Sequence, residues 1–107
     1  MAAIGFVTGT IEKGFVGQLK TLSIRAAIEI RPNPSKAGDV QPDYRVWSEG
    51  VEIGAGWIRI GETSGKPFVS LTLAAPEFGP RRIYANLGRA AGQDRDDSYA
   101  IIWNPEN

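Results

Sequence analysis

The stretch Leu22-Ser23-Ile24-Arg25-Ala26-Ala27-Ile28-Glu29-Ile30-Arg31 decides the fold class. Leu22, Ile24, Ala26, Ile28 and Ile30 fall on one side of it, and Ser23, Arg25, Glu29 and Arg31 on the other, with only Ala27 blurring the polar side. A period of two belongs to a half-buried strand, because a helix gathers every third or fourth residue onto one face. Downstream, Val51, Ile53, Ala55 and Trp57 alternate with Glu52, Gly54, Gly56 and Ile58 in the same way. The two glycines leave that second face bare, which allows a bend, a bulge or the close approach of another backbone.

Upstream, Gly5-Phe6-Val7 recurs as Gly14-Phe15-Val16, and residues 4–10 followed by 15–22 read as a hairpin turning at Glu12-Lys13-Gly14. Further strands are predicted at 44–48, 68–73, 83–87 and 99–103. Thirteen glycines and seven prolines punctuate the chain at the spacing of short strands joined by turns. The reading is an all-β fold, a single small barrel or sandwich of about seven to eight short antiparallel strands with little or no helix. One domain over 1–104 is expected, with 105–107 a flexible tail. Three segments read as loops: 31–42, with three prolines; 75–82, with Phe78 tucked inward as an anchor; and 88–97, with room for one helical turn at Arg89-Ala90-Ala91.

The 107 residues include no histidine and no cysteine. The usual neutral-pH general base, the thiolate nucleophile and the soft metal ligands are therefore missing, and the chain is expected to be no enzyme and to carry no cofactor and no metal. A carboxylate hydrolase using a pair such as Asp43 and Glu52 is the residual catalytic reading. Twelve Lys plus Arg balance twelve Asp plus Glu, so any anion-binding face must come from local segregation of charge. Neither a leader-like N-terminus nor a run of about 18 apolar residues is visible, so the expected location is the cytoplasm, with no membrane contact.

Several motifs fail on chemistry. Gly54-Ala55-Gly56 opens like a dinucleotide fingerprint, but Arg59 stands where the third glycine belongs and no helix follows. Asp94, Asp96 and Asp97 offer hard oxygens, but Arg95 sits among them and no downstream glutamate completes a calcium loop. Lys13-Gly14-Phe15-Val16-Gly17 resembles the base-stacking strand of RNA-recognition and cold-shock domains, yet Gly17 occupies the place of the second ring.

The aromatic residues carry more. Arg45 and Trp47 share one face of their strand, opposite Tyr44 and Val46, while Tyr99, Ile101 and Trp103 share another that reads as core. Arg45 and Trp47, joined by Lys20, Arg25, Arg31 or Arg59 on neighbouring strands, would form a surface for stacking bases and contacting phosphates. The competing reading has these arginines solvating an outer face and pairing with Glu29, Glu49 and Glu52.

The linear order of Phe15-Val16-Gly17, Lys20-Thr21-Leu22, Asn33 with Lys36, Pro42-Asp43-Tyr44-Arg45-Val46, Gly54-Ala55-Gly56-Trp57, Ser70-Leu71-Thr72-Leu73, Pro76 with Phe78, Ile83-Tyr84-Ala85-Asn86-Leu87 and Ile102-Trp103 resembles the Domain of Unknown Function 736 family over nearly the whole chain. The resemblance implies a short bacterial protein of plasmids and integrative elements, and no catalytic residues. Where the family carries an acidic pair before its proline this chain has Ala74-Ala75, and after the terminal tryptophan it has Asn104-Pro105.

Two functions follow. The first is a structural or regulatory adaptor that presents a sheet edge or face to a second copy, as a homodimer, or to another bacterial protein. The second is an accessory protein that binds single-stranded nucleic acid without sequence preference through Lys20, Arg25, Arg31, Arg45, Trp47 and Arg59. The zero net charge places the adaptor first.

Overall fold

In the computed structural model, which describes residues 3–34, 38, 40–89 and 97–105, the chain is a closed eight-stranded barrel. The strands are β1 (Ala3–Thr10), β2 (Gly14–Lys20), β3 (Arg25–Pro32), β4 (Tyr44–Ser48), β5 (Val51–Ile60), β6 (Pro67–Leu73), β7 (Ile83–Arg89) and β8 (Ser98–Trp103). Each pairs antiparallel with the next, and β8 returns to β1 through Phe6 opposite Ala100 and Val7 opposite Tyr99. A single 3-10 turn, Pro76–Phe78, is the one helical element among the described residues. The barrel alternative is therefore the observed one; of the helical turn proposed at Arg89-Ala90-Ala91, Arg89 instead ends β7 as strand, and Ala90 and Ala91 lie outside the described residues.

Alternation fills the lumen. Val7, Phe15, Leu19, Ile28, Ile30, Tyr44, Val46, Val69, Leu71, Leu73, Ala85, Leu87 and Ile101 are all buried and form one cluster. An eight-stranded barrel is just wide enough for side chains to pack it solid. Phe15 meets Tyr99 edge-on at 5.4 Å and Tyr44 at 6.1 Å between ring centroids, so three rings gather at the end of the barrel where β2, β4 and β8 begin. The Tyr44 hydroxyl donates to the carbonyl oxygen of Ile11 in the β1–β2 turn, tying that hairpin to β4. Burial, with the charge of Asp43 and then Tyr99 adding to it, pushes the Tyr44 hydroxyl up to about 12.

The structure moves several sequence-derived boundaries. Leu22 does not continue β3. Thr21 and Ile24 close a tight turn, with Thr21 N donating to Ile24 O at 2.9 Å and Ile24 N to the Thr21 hydroxyl at 3.1 Å, and the turn throws Leu22 fully into solvent. Pro32 still pairs, opposite Tyr44, because a proline at a strand end loses only one ladder donor. β5 carries the largest correction. A bulge sets Val46 opposite Gly54 but Trp47 opposite Glu52. Parity changes there, so Gly54 and Gly56 face inward with Ile53, while Ala55 and Trp57 face outward. The bare face thus lies against the core: a Cβ on Gly56 would sit 3.0 Å from Leu71 Cδ2 and 3.4 Å from Tyr44 Cβ. Trp103 is the other exception, since it stands on the core side at the last position of β8 and is 41% exposed at the barrel mouth.

One substitution tests this packing in two ways. Tyr44→Phe is expected to cost about 1 kcal/mol at neutral pH in urea unfolding, the worth of one buried hydrogen bond. A hydroxyl raised in the folded state keeps its proton longer there, so the native protein loses stability as pH rises from about 10 through about 12, and Tyr44→Phe removes that part of the alkaline loss.

Candidate functional site

The ladders sort every outward side chain. On β2 to β5 the outward positions include Lys20, Arg25, Glu29, Arg31, Arg45, Glu52 and Arg59, five cations against two carboxylates. On β6, β7, β8 and β1 they are Phe68, Ser70, Thr72, Tyr84, Asn86, Gly88, Ser98, Ala100, Ile102, Phe6, Thr8 and Thr10, with no charge among them. Zero net charge for the chain therefore coexists with a cationic half-barrel and a neutral one.

Within the cationic half, four of the six sequence-derived residues converge. Arg31 on β3 lies directly opposite Arg45 on β4. Two like charges in such a pair repel, their Cβ atoms being about 5 Å apart, and each is relieved by an acid: Arg31 bonds Glu29 at 2.9 Å and Arg45 bonds Glu52 at 2.8 Å. The Arg31 guanidinium also stacks over Trp47 at 5.6 Å from the ring centroid, and Arg59 stacks over Trp57 at 5.8 Å. Trp47 and Trp57 lie on the same outer surface, separated along the strands by about four residues, or roughly 13 Å at ~3.3 Å per residue. Lys20 and Arg25 do not join this group. They pair with each other at the other end of β2 and β3, and the Arg25 guanidinium donates to Thr21 O.

The segment between β3 and β4 braces the cluster. Asn33 donates through Nδ2 to Pro42 O at 2.9 Å and accepts from Arg45 Nε at 3.4 Å, while Trp57 Nε1 donates to Val40 O at 3.2 Å. Asp43 accepts from Ile58 N at 2.8 Å. The two carboxylates of the hydrolase reading thus have structural partners, Asp43 on the backbone and Glu52 on Arg45. Glu49, offered as a partner for the arginines, sits in the β4–β5 turn with φ 50° and has no ion pair among the described residues. Trp57 is the member that sequence reasoning left off the site: its parity with Val51 and Ile53 grouped it with them, and only the bulge turns it outward.

The structure also explains the glycine that breaks the stacking-strand motif. Gly17 faces inward opposite Val7, where a Cβ would stand 1.9 Å from the Phe6 carbonyl oxygen, so no ring can occupy that position. Phe15 is likewise buried. Asp94 and Asp96 lie outside the described residues; Asp97 contributes its carbonyl to Gly9 N at 2.9 Å.

A family model described as a protein of unknown function (DUF736) matches residues 3–106. No curated protein and no solved structure matches the chain. No helix among the described residues is long and apolar enough to cross a membrane.

Because the ion pairs are exposed, they contribute little to the fold. Arg31→Ala and Arg45→Ala are each expected to change the unfolding free energy by less than about 1 kcal/mol in urea melts followed by tryptophan fluorescence. A larger loss would make these arginines part of the scaffold.

Proposed function

Since the chain belongs to the DUF736 family, whose description assigns no activity, we propose its function from the site alone: a non-catalytic module that binds single-stranded nucleic acid without sequence preference. The observation that carries this reading is the pair of stacked units, Arg31 on Trp47 and Arg59 on Trp57, on one outer surface with Arg45 beside them. Indole faces accept any base, and arginines accept any phosphate, so the surface favours single strands and discriminates poorly between sequences. The short pairs to Glu29 and Glu52 hold the guanidiniums in place and are weak enough for a phosphate to displace. Bases would insert beneath or beside the guanidinium planes, with Arg45 contacting the backbone between the two stacking positions. A mobile-element origin, as the family resemblance implies, and a cytoplasmic location belong to the same proposal.

Fluorescence anisotropy with labelled oligonucleotides tests it. Single strands should bind more tightly than duplex, with quenching of tryptophan emission. Three phosphate contacts give a slope of about −2 in log affinity against log salt, a loss of roughly 20-fold between 50 and 200 mM. Trp47→Ala and Trp57→Ala should each weaken binding by roughly tenfold or more. Absence of binding at low salt would end the nucleic-acid reading.

The neutral half-barrel favours a second reading, the adaptor. Closure of the barrel leaves no unpaired sheet edge among the described strands, so only a face can serve. Phe6 is 53% exposed above Ala100, and Val16 on the adjoining strand is 56% exposed. Charge depletion around an exposed aromatic ring is the composition of a protein contact, here with a second copy. Sedimentation equilibrium at micromolar protein should then return a dimer that Phe6→Lys converts to monomer; a monomeric mass for the unaltered chain would exclude the self-association.

A further inference from the structure

The mouth of the barrel where β2 ends and β3 begins holds a second site, at the end opposite to Trp57 and Arg59. Ile4, Leu19, Ile24 and Leu22 line an apolar slot of about 410 Å³ that Phe78, Ile83 and Trp103 complete. Phe78, as expected from sequence, packs against the core, carried there by the 3-10 turn. Beyond it the slot adjoins a cleft of about 550 Å³ that shares Phe78, Ile83 and Trp103 and adds Arg81, Arg82 and Tyr84. Both volumes fall within the roughly 300–1,000 Å³ typical of small-molecule sites.

Three features distinguish this mouth from ordinary surface. Leu22 is 105% exposed, yet its position is fixed by the hydrogen-bonded turn between Thr21 and Ile24 rather than left free. Trp103 exposes part of an indole that the alternation of β8 directs toward the core. Arg81 and Arg82 form no hydrogen bond or ion pair with any described residue, unlike Arg25, Arg31 and Arg45. An apolar slot is thus joined, across one tryptophan, to two guanidiniums that lack a counter-charge within the described chain.

We propose that this mouth binds a small amphipathic anion, a carboxylate with an apolar tail, whose tail enters the slot beside Leu19 and Ile24 and whose headgroup pairs with Arg81 and Arg82. The tail removes Leu22 and Trp103 from water, and the planar guanidiniums offer forked donors to the carboxylate. Tyr84, beside them, supplies a further hydroxyl. The proposal is independent of the nucleic-acid reading, which uses other residues, on the outer faces of β3, β4 and β5.

The test uses decanoate, decanol and butanoate on the full chain, followed by amide and indole shifts in nitrogen-15 NMR. Decanoate should give saturable shifts confined to this mouth, at Leu22, Ile24, Arg81, Arg82, Ile83 and the Trp103 indole. Arg81→Ala with Arg82→Ala, both exposed and harmless to the fold, should weaken decanoate by about tenfold and leave decanol unchanged. Leu22→Ser should weaken both, and butanoate, an anion without a tail, should bind far more weakly than decanoate. Equal affinity for decanoate and decanol, insensitivity to the arginine variants, or shifts scattered over the barrel would overturn the proposal.

Discussion

Closure of β8 onto β1 is the constraint on which everything else in this protein depends. With β8 in place every strand has two neighbours, each ladder fixes the register of the next, and a slip of one residue anywhere would turn a buried set of side chains outward. The lumen is therefore committed to Phe15, Tyr44, Tyr99 and the aliphatic residues stacked around them. Inward positions that cannot hold a side chain become glycine: at Gly17 the opposing backbone of β1 fills the space, and at Gly56 Tyr44 and Leu71 fill it. Function is left to the outer surface and the two mouths, because the interior has no room for a ligand.

That division explains how a chain of zero net charge can present a cationic surface. Alternation sends half of each strand outward, and the sequence loads those positions unevenly: arginine and lysine on β2 to β5, neutral residues on β6 to β1. Local field follows the near charges, since those beyond about 10 Å are screened at moderate salt. The composition that argues against nucleic acid is an average over two unlike halves. An adaptor and a strand binder also make different demands on this exterior, one needing an uncharged face and the other a charged one, and the barrel supplies each on a separate side.

Much of the fold was legible in the sequence because strand periodicity is a local property. Ile28 and Ile30 lie buried on one side of β3 with Glu29 and Arg31 on the other, as their spacing dictates. Leu22 misleads for the same reason: the alternation runs on past the strand end, and only the bond between Thr21 and Ile24 shows that the chain has already turned. On β5 strict alternation groups Trp57 with Val51 and Ile53, and the bulge opposite Trp47 reverses that grouping, turning Gly54 and Gly56 inward and Trp57 outward. A bulge depends on two strands together, and one strand's sequence does not contain it. The site residues Arg31, Arg45 and Trp47 were found because neighbouring strands bring like faces together, whereas the separation of Lys20 and Arg25 from them depends on register.

The barrel mouth shows the limit of such reading. Ile4, Leu19, Leu22, Ile24, Ile83 and Trp103 come from the beginning, the first third and the end of the chain, and no window of sequence joins them. What joins them is strand direction: in an up-and-down barrel the start of β1, the end of β2, the start of β7 and the end of β8 must all emerge at one end. Side chains there cannot be covered by a further strand, because the ladder has stopped, so each mouth needs a plug. At this end the 3-10 turn inserts only Phe78, and one ring leaves part of the opening unfilled. An incompletely plugged barrel exposes its last core residues, here Trp103, at the same place where the loop after the plug delivers Arg81 and Arg82. The juxtaposition of apolar slot and cations is thus a consequence of how this barrel ends, and it arises at a point on the molecule that the strand faces do not share.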